Sequence, residues 1–106
     1  MKRYEIVWAE LEPTIGAEMS KTRPVVIVSK DELNTRLQTI TVCPITSQVH
    51  PAWRSRIAIK VKRRNAEIAV DQIRTISASR LREKVDSLSD DEAAALRRLI
   101  TEMYGE

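Results

Sequence analysis

Two stretches of this 106-residue chain gather side chains that could act on an anionic group: Ser20-Lys21-Thr22-Arg23, and Arg54-Ser55-Arg56 followed by Lys60-Val61-Lys62-Arg63-Arg64. A guanidinium carries planar, permanently charged donors that match phosphate or carboxylate oxygens. The second cluster is therefore suited to gripping phosphates. Arg23 directly precedes Pro24, and a residue before proline is held in the extended region, which aims its side chain consistently. Trp53, between Ala52 and Arg54 in a basic loop, is the candidate for stacking on a nucleobase. Trp8 lies in an apolar run and is assigned to the core. On the residues alone, an ordinary ion pair for Arg23 and a solvated hairpin tip for Arg63 and Arg64 stay open.

Several familiar chemistries lack their residues. His50 is the only histidine, which excludes a two-histidine acid–base site within one chain, and Gln48-Val49-His50-Pro51 reads as an exposed loop. No His/Cys pair falls at zinc spacing. The acids are not clustered as a two-metal nuclease requires, apart from Asp90-Asp91-Glu92, which a helix cap explains. Neither of the two glycines belongs to a phosphate-cradling loop. No metal or cofactor is expected. The single cysteine, Cys43, sits in Ile40-Thr41-Val42-Cys43-Pro44-Ile45 and reads as a buried small hydrophobe. With no signal-like segment and no apolar run of membrane-spanning length, the expected compartment is the cytoplasm.

The net charge of +3 hides an asymmetry. Residues 1–82 hold 15 Lys/Arg against 8 Asp/Glu, or +7, and residues 83–106 hold 3 against 7, or −4. A basic body attracts polyanions by steering and counterion release. RNA, DNA and an acidic protein all fit.

The elements that must position these residues are short Val/Ile-rich strands, predicted at Ile6–Ala9, Val25–Ser29, Thr39–Ile45, Ile57–Lys62, Ile68–Asp71 and Arg74–Ile76. Alternation places Ile57, Ile59 and Val61 on one face, with Arg56, Lys60 and Lys62 opposite. A long loop spans residues 12–22, and a helical turn over Lys30–Asn34 follows Ser29, a possible cap. Ser89-Asp90-Asp91-Glu92 is a capping box that opens a helix with its apolar stripe at Leu96, Leu99, Ile100 and Met103, stopped by Gly105. This pattern predicts one domain over residues 1–106, a small bent antiparallel sheet or barrel with a terminal helix.

Four blocks in order resemble the PemK/MazF toxin family. Ile6 to Glu18 is similar to its opening segment and Lys21 to Ser29 to its second block. Pro44-Ile45-Thr46-Ser47 and Val70-Asp71-Gln72-Ile73-Arg74-Thr75-Ile76, with Ser79-Arg80-Leu81 after it, match the remaining two, and the closing helix has its counterpart. The resemblance implies an SH3-like barrel with a C-terminal helix. It further implies a homodimer that cleaves single-stranded RNA at short sequences and is neutralised by a cognate antitoxin. By position it assigns catalysis to Arg23 and Thr46 and a loop acid to Glu18, with Asp71 as the acid of other members. Lys21, Ser47, Trp53, Arg54, Arg56, Asp71 and Gln72 are the expected RNA contacts. The family's usual Gly-Asp opening is Tyr4-Glu5 here, and Asn65 is the residue expected to take a left-handed turn in the basic hairpin. Ala17 and Ala69 stand where some relatives carry catalytic side chains. Two other readings are a toxin of the same barrel that binds a protein such as DNA gyrase, and a noncatalytic nucleic-acid-binding barrel.

Overall fold

The computed structural model describes residues 1–11 and 21–105. Among these residues the elements run β1 (Glu5–Leu11), β2 (Lys21–Ile27), α1 (Asp31–Arg36), β3 (Thr39–Thr46), β4 (Arg56–Val61), β5 (Arg64–Ala69), β6 (Arg74–Ser77), β7 (Leu81–Ser87) and α2 (Asp90–Tyr104). Branched Val and Ile side chains dominate β1 to β3 because they are stiff at χ1 and pack well on a pleated surface. The strands pair in the order β4-β5-β3-β2-β1-β7, and β6 also pairs with β3.

β3 has to change partners along its length. Thr39 to Val42 pair with β6, Ile45 and Thr46 pair with β5, and Val42 to Pro44 pair with β2 on the other side. Pro44 falls between the two partners. The Val28 N–H donates to the Thr41 carbonyl at 2.9 Å, so alternation makes Val26–Cys43 a bonded pair and Val25–Pro44 a non-bonded one. The donor that Pro44 lacks would point away from β2, toward the side where β3 has left β6 and not yet met β5. A proline is tolerated in this central strand for that reason.

Strand alternation gives two cores. On one face Val7, Ala9, Val25, Ile27, Val42 and Ile76 pack together, and β6 and β7, joined by a 3-10 turn at Ala78–Arg80, close that face into a small barrel. On the other face Ile6, Val26, Cys43, Ile45 and Ile68 pack against Leu96 of α2. The predicted capping box forms: Ser89 Oγ accepts the Glu92 N–H at 3.1 Å, and Glu92 Oε1 accepts the Ser89 N–H at 2.9 Å. Such a cap contributes about 1 kcal/mol. Leu99 and Ile100 join the core, whereas Met103, placed on the same stripe by the sequence, is exposed. α2 stops at Gly105, where a Cβ would come within 2.7 Å of the Thr101 carbonyl oxygen.

Several boundaries differ from the sequence expectation. β7 was not foreseen in Leu81-Arg82-Glu83-Lys84-Val85-Asp86-Ser87, because its charges mask the strand signal. They are answered across the ladder by β1, with Lys84 on Glu5 at 3.1 Å and Arg82 on Glu10 at 2.7 Å. β5 begins at Arg64, not Ile68, and Asp71 lies in a 3-10 turn, Val70–Gln72, outside the strand expected to hold it. Ser29 does not cap α1; its hydroxyl accepts the Thr41 N–H at 3.1 Å, and Lys30 occupies the cap without a side-chain bond.

The β4–β5 hairpin corrects the reading of Asn65, which is paired with Lys60 inside the strand. Val61 pairs with Arg64, leaving two residues for the turn. A two-residue hairpin of this hand requires both central residues at positive φ, and Lys62 (φ 49°) and Arg63 (φ 70°) comply. A left-handed conformation costs an L-residue with a side chain about 1–2 kcal/mol. Replacing both, Lys62→Asn with Arg63→Gly, is expected to raise the unfolding free energy by roughly 1–2 kcal/mol in urea titration; an unchanged midpoint would show that the turn stores no strain.

Candidate active site

The site opens where a ladder stops. β1 and β2 remain paired from Ile6–Val26 through Leu11–Lys21, but the register of β2 with β3 ends at Val25–Pro44. The next pair would be Pro24–Ile45, a bonded position by the alternation established above. Pro24 has no N–H to give there. β3 passes on to β5, β2 stays on β1, and the two strands part. Of the two residues proposed from the sequence as the catalytic pair, Arg23 lines the opening between the strands and Thr46 is the last residue of β3.

A cavity of about 680 Å³ fills this wedge, lined by Trp8, Thr22, Arg23, Pro24, Ile45 and Ser47, with Lys62 and Arg64 from the hairpin and Val85 from β7 among its other walls. Trp8, assigned to the core from its sequence, is instead 40% exposed. It sits opposite Pro24 in the β1–β2 register, and past the end of the β2–β3 ladder no further strand covers it. Its ring and Ile45 give the cavity an apolar floor, while Arg23, Lys62 and Arg64 supply positive charge. An aromatic face beside guanidinium and ammonium groups is the combination that receives an unstacked base with its phosphate.

Ile45 and Ser47 line the cavity and Thr46 does not, so the Thr46 side chain points to the opposite face of β3. Its Oγ1 accepts the Gln48 N–H at 3.1 Å. That bond occupies a lone pair and leaves the hydroxyl hydrogen available to donate. Directly across the β3–β5 ladder from Thr46 is Glu67, which sequence reasoning missed and which is only 2% exposed. A lone acid within the apolar run Ala66 to Val70 was the available signal.

Glu67 Oε1 accepts the His50 N–H at 2.9 Å and lies 3.7 Å from Arg56 Nη1. Arg56, expected among the phosphate-gripping residues, has its side chain buried to 6% exposure, and its Nε donates to Asp71 Oδ1 at 2.9 Å. Its guanidinium stands 4.6 Å from the Trp53 ring centroid, and Trp53 in turn stacks on His50 at 4.0 Å and 9°. Ser47, Trp53, Arg54 and Gln72 are exposed. Lys21 begins β2, and Glu18 lies outside the described residues.

Comparison with known proteins places these features in context. A profile of PemK-like, MazF-like toxins of type II toxin–antitoxin systems matches residues 2–104. Endoribonuclease EndoA of Bacillus subtilis is 34% identical over 96 residues, covering 86% of this chain and 83% of that protein. Among solved structures, the Mycobacterium tuberculosis toxin MazF-mt6 has a TM-score of 0.79 at 22% identity, covering 94% of this chain and 95% of its own. A MazE–MazF crystal structure from Deinococcus radiodurans has a TM-score of 0.84 at 20% identity, covering 99% and 96%. At these identities the two structures establish the fold alone: mainly β, barrel-like, with a C-terminal helix.

Two titratable groups beside the site are strongly influenced by their surroundings. Burial pushes the Cys43 thiol up to about 12, with the Asp71 charge adding to the effect, so the thiol stays protonated. Among the described residues no group of three or more His, Cys, Asp and Glu is placed to hold a metal ion. For Asp71, partial burial raises the pKa, but hydrogen bonds from Arg56, its own backbone N–H and Ser55 outweigh it and leave the carboxyl below its ordinary value of 3.8. A depressed folded-state pKa contributes stability that is complete above the unfolded value and lost as pH falls through the folded one. Asp71→Asn is therefore expected to lower stability near neutral pH by about 1 kcal/mol, discounted for solvent access. The gap between the two proteins should close as pH drops through the acid range below 3.8. Thermal unfolding at a series of pH values checks this, and a gap independent of pH would remove the assigned ion pair.

Proposed function

This chain belongs to the PemK-like, MazF-like toxin family of type II toxin–antitoxin systems, and from that premise we propose that it is an endoribonuclease that cuts single-stranded RNA at short sequences without a metal. The observation that supports the chemistry is the parting of β2 and β3 at Pro24, which leaves Arg23 on an open cavity with an exposed tryptophan, while Thr46 at the end of β3 keeps a hydroxyl hydrogen free to donate.

RNA carries its own nucleophile. The 2′-hydroxyl oxygen attacks the adjacent phosphorus as the bond from phosphorus to the 5′-oxygen breaks, leaving a 2′,3′-cyclic phosphate and a 5′-hydroxyl. The protein must align this attack, hold the charge gathering on the non-bridging oxygens and move one proton off the 2′-oxygen and one onto the 5′-oxygen. Arg23 from the cavity wall and Thr46 from the end of β3 donate hydrogen bonds to the phosphate oxygens. Arginine is a poor base, since a pKa above ~12 leaves almost none of it deprotonated at neutral pH. Glu18 is the proposed base for the 2′-hydroxyl. Lys21, Ser47, Trp53, Arg54 and Gln72 contact the strand on either side of the scissile bond.

The active form is a homodimer, and its inhibitor is a cognate antitoxin. This reading is supported by family membership and by the solved MazE–MazF complex of Deinococcus radiodurans. An acidic, partly disordered antitoxin segment suits the basic rim formed by Arg23, Lys62 and Arg64.

Purified protein incubated with RNA in EDTA should leave cyclic-phosphate and 5′-hydroxyl ends. Arg23→Ala should lower the single-turnover rate by about 10²–10³-fold, and Thr46→Val by roughly 10–10²-fold. RNA left intact across varied sequences would overturn the proposal in favour of a protein-binding or noncatalytic barrel. Glu18→Gln is expected to slow the same step with little loss of RNA binding; an unchanged rate would remove Glu18 from the mechanism.

A further inference from the structure

Glu67 is the one charged side chain among the described residues that is fully enclosed, and nothing in the chemistry above uses it. Removing a carboxylate from water is costly unless it is paired and hydrogen-bonded. What Glu67 holds therefore indicates what the arrangement accomplishes. One of its oxygens takes the His50 N–H at 2.9 Å and faces Arg56 at 3.7 Å. Arg56 is in turn fixed by Asp71 at 2.9 Å and lies over the Trp53 ring, whose other contact is the His50 imidazole stacked on it at 4.0 Å. The His50 N–H and the Trp53 ring both belong to one segment, residues 47–55, which leaves β3 immediately after Thr46 and returns as β4 at Arg56.

The same segment is closed on itself and on the barrel by backbone bonds. The Trp53 N–H donates to the His50 carbonyl at 2.9 Å, and the Val70 N–H donates to the Ser55 carbonyl at 3.1 Å. Among the described residues, the hydrogen bonds that remain to the middle of the segment without the side-chain clamp are its own and the one from Gln48 to the Thr46 hydroxyl. Three exposed residues proposed above to meet RNA, Ser47, Trp53 and Arg54, ride on it.

We propose that Glu67 and Arg56 are positioning residues that clamp the 47–55 loop into one shape beside Thr46, so that Ser47, Trp53 and Arg54 present a fixed surface to the RNA strand. The proposal rests on the endoribonuclease reading and adds to it a split of roles. Arg23 and Thr46 act on the scissile phosphate, while Glu67 and Arg56 act through the loop on how tightly and in which register the strand is held. Arg56 thus serves recognition from beneath the loop instead of gripping a phosphate itself. A misplaced recognition surface weakens binding more than it slows a correctly seated strand.

His50 is the only histidine in the chain, so its imidazole proton signals in NMR need no assignment against others. Stacking on Trp53 at 4.0 Å should shift them upfield by ring current. In Glu67→Leu, which removes the acceptor and the charge while filling the space, the upfield shift should be lost with the barrel still folded by circular dichroism. The RNA concentration for half-maximal single-turnover cleavage should rise roughly 10-fold or more, with the rate at saturation changed less than about 3-fold. Glu67→Gln keeps an oxygen acceptor for the His50 N–H and should recover most of the ring-current shift and of the binding.

A folded Glu67→Leu protein with the His50 signals unmoved overturns the clamp. Loss confined to the saturated rate overturns the positioning role in favour of a direct part in the chemistry. If Glu67→Leu does not fold, Arg56→Lys takes its place, keeping the charge while losing the planar contact with Trp53; unaltered His50 signals and binding there overturn the proposal equally. A wild-type protein that leaves RNA intact defeats the functional reading and the RNA-holding role together, whereas the protein-only NMR result judges the clamp independently.

Discussion

Pro24 has no N–H at a position where the β2–β3 ladder needs one, and the geometry of the site descends from that missing donor. The ladder with β1 is unaffected, since the residue's other neighbours face that way, so β2 stays in the sheet while β3 is released to join β5. The parting exposes Trp8 and opens the cavity that Arg23 lines. Had the ladder run on, cross-strand neighbours would have closed over the same ground. The second proline of this region, Pro44, does the complementary work in β3, placing its own missing donor where that strand exchanges β6 for β5. Two prolines in central strands, ordinarily disruptive, here mark both sides of one transition.

What the sequence revealed was what depends on near neighbours. The capping box of α2, the alternation of Ile57 and Ile59 and the burial of Cys43 are local patterns, and each is found as read. What escaped depended on residues far along the chain. β7 looks too charged for a strand until Glu5 and Glu10 of β1 are placed beside Lys84 and Arg82. Trp8 has the right company for a core residue, and only the end of a ladder formed by another strand leaves it open. Asp71 and Arg56, read as RNA contacts, are 15 residues apart and bond one another across the β4–β5 hairpin and the turn beyond it. For the candidate site, motif positions proposed Arg23 and Thr46, but the cavity beside Arg23 depends on where the β2–β3 ladder ends, which only the register shows.

Among the described residues, three break the local rule that side chains avoid positive φ: Tyr4, Lys62 and Arg63. Tyr4 is over-determined. Its N–H bonds the Ile27 carbonyl at 2.7 Å, and its ring lies under Arg3 at 4.8 Å and Arg97 at 5.6 Å. The hairpin tip has far less to hold it, the Lys62 N–H reaching Asp86 at 3.4 Å. A stability argument alone would place Asn-Gly there. The retained side chains put positive charge on the rim of the cavity, where an anionic strand would enter.

The Glu67–Arg56 pair extends the same logic into the interior. Buried ion pairs are weak evidence for stability, because well-packed apolar residues of similar volume often hold a fold as well or better. An apolar replacement at Glu67 could fill the space and satisfy the packing of β5. It could not accept the His50 N–H, nor hold a negative charge 3.7 Å from the Arg56 guanidinium. Those two contacts concern the shape of a loop and contribute little to the cohesion of the barrel, whose cores of Val, Ile and Leu lie elsewhere. The cost of enclosing a carboxylate is thus borne at the one place where loop geometry meets the end of β3, and the physical case for a role in recognition rests on that coincidence.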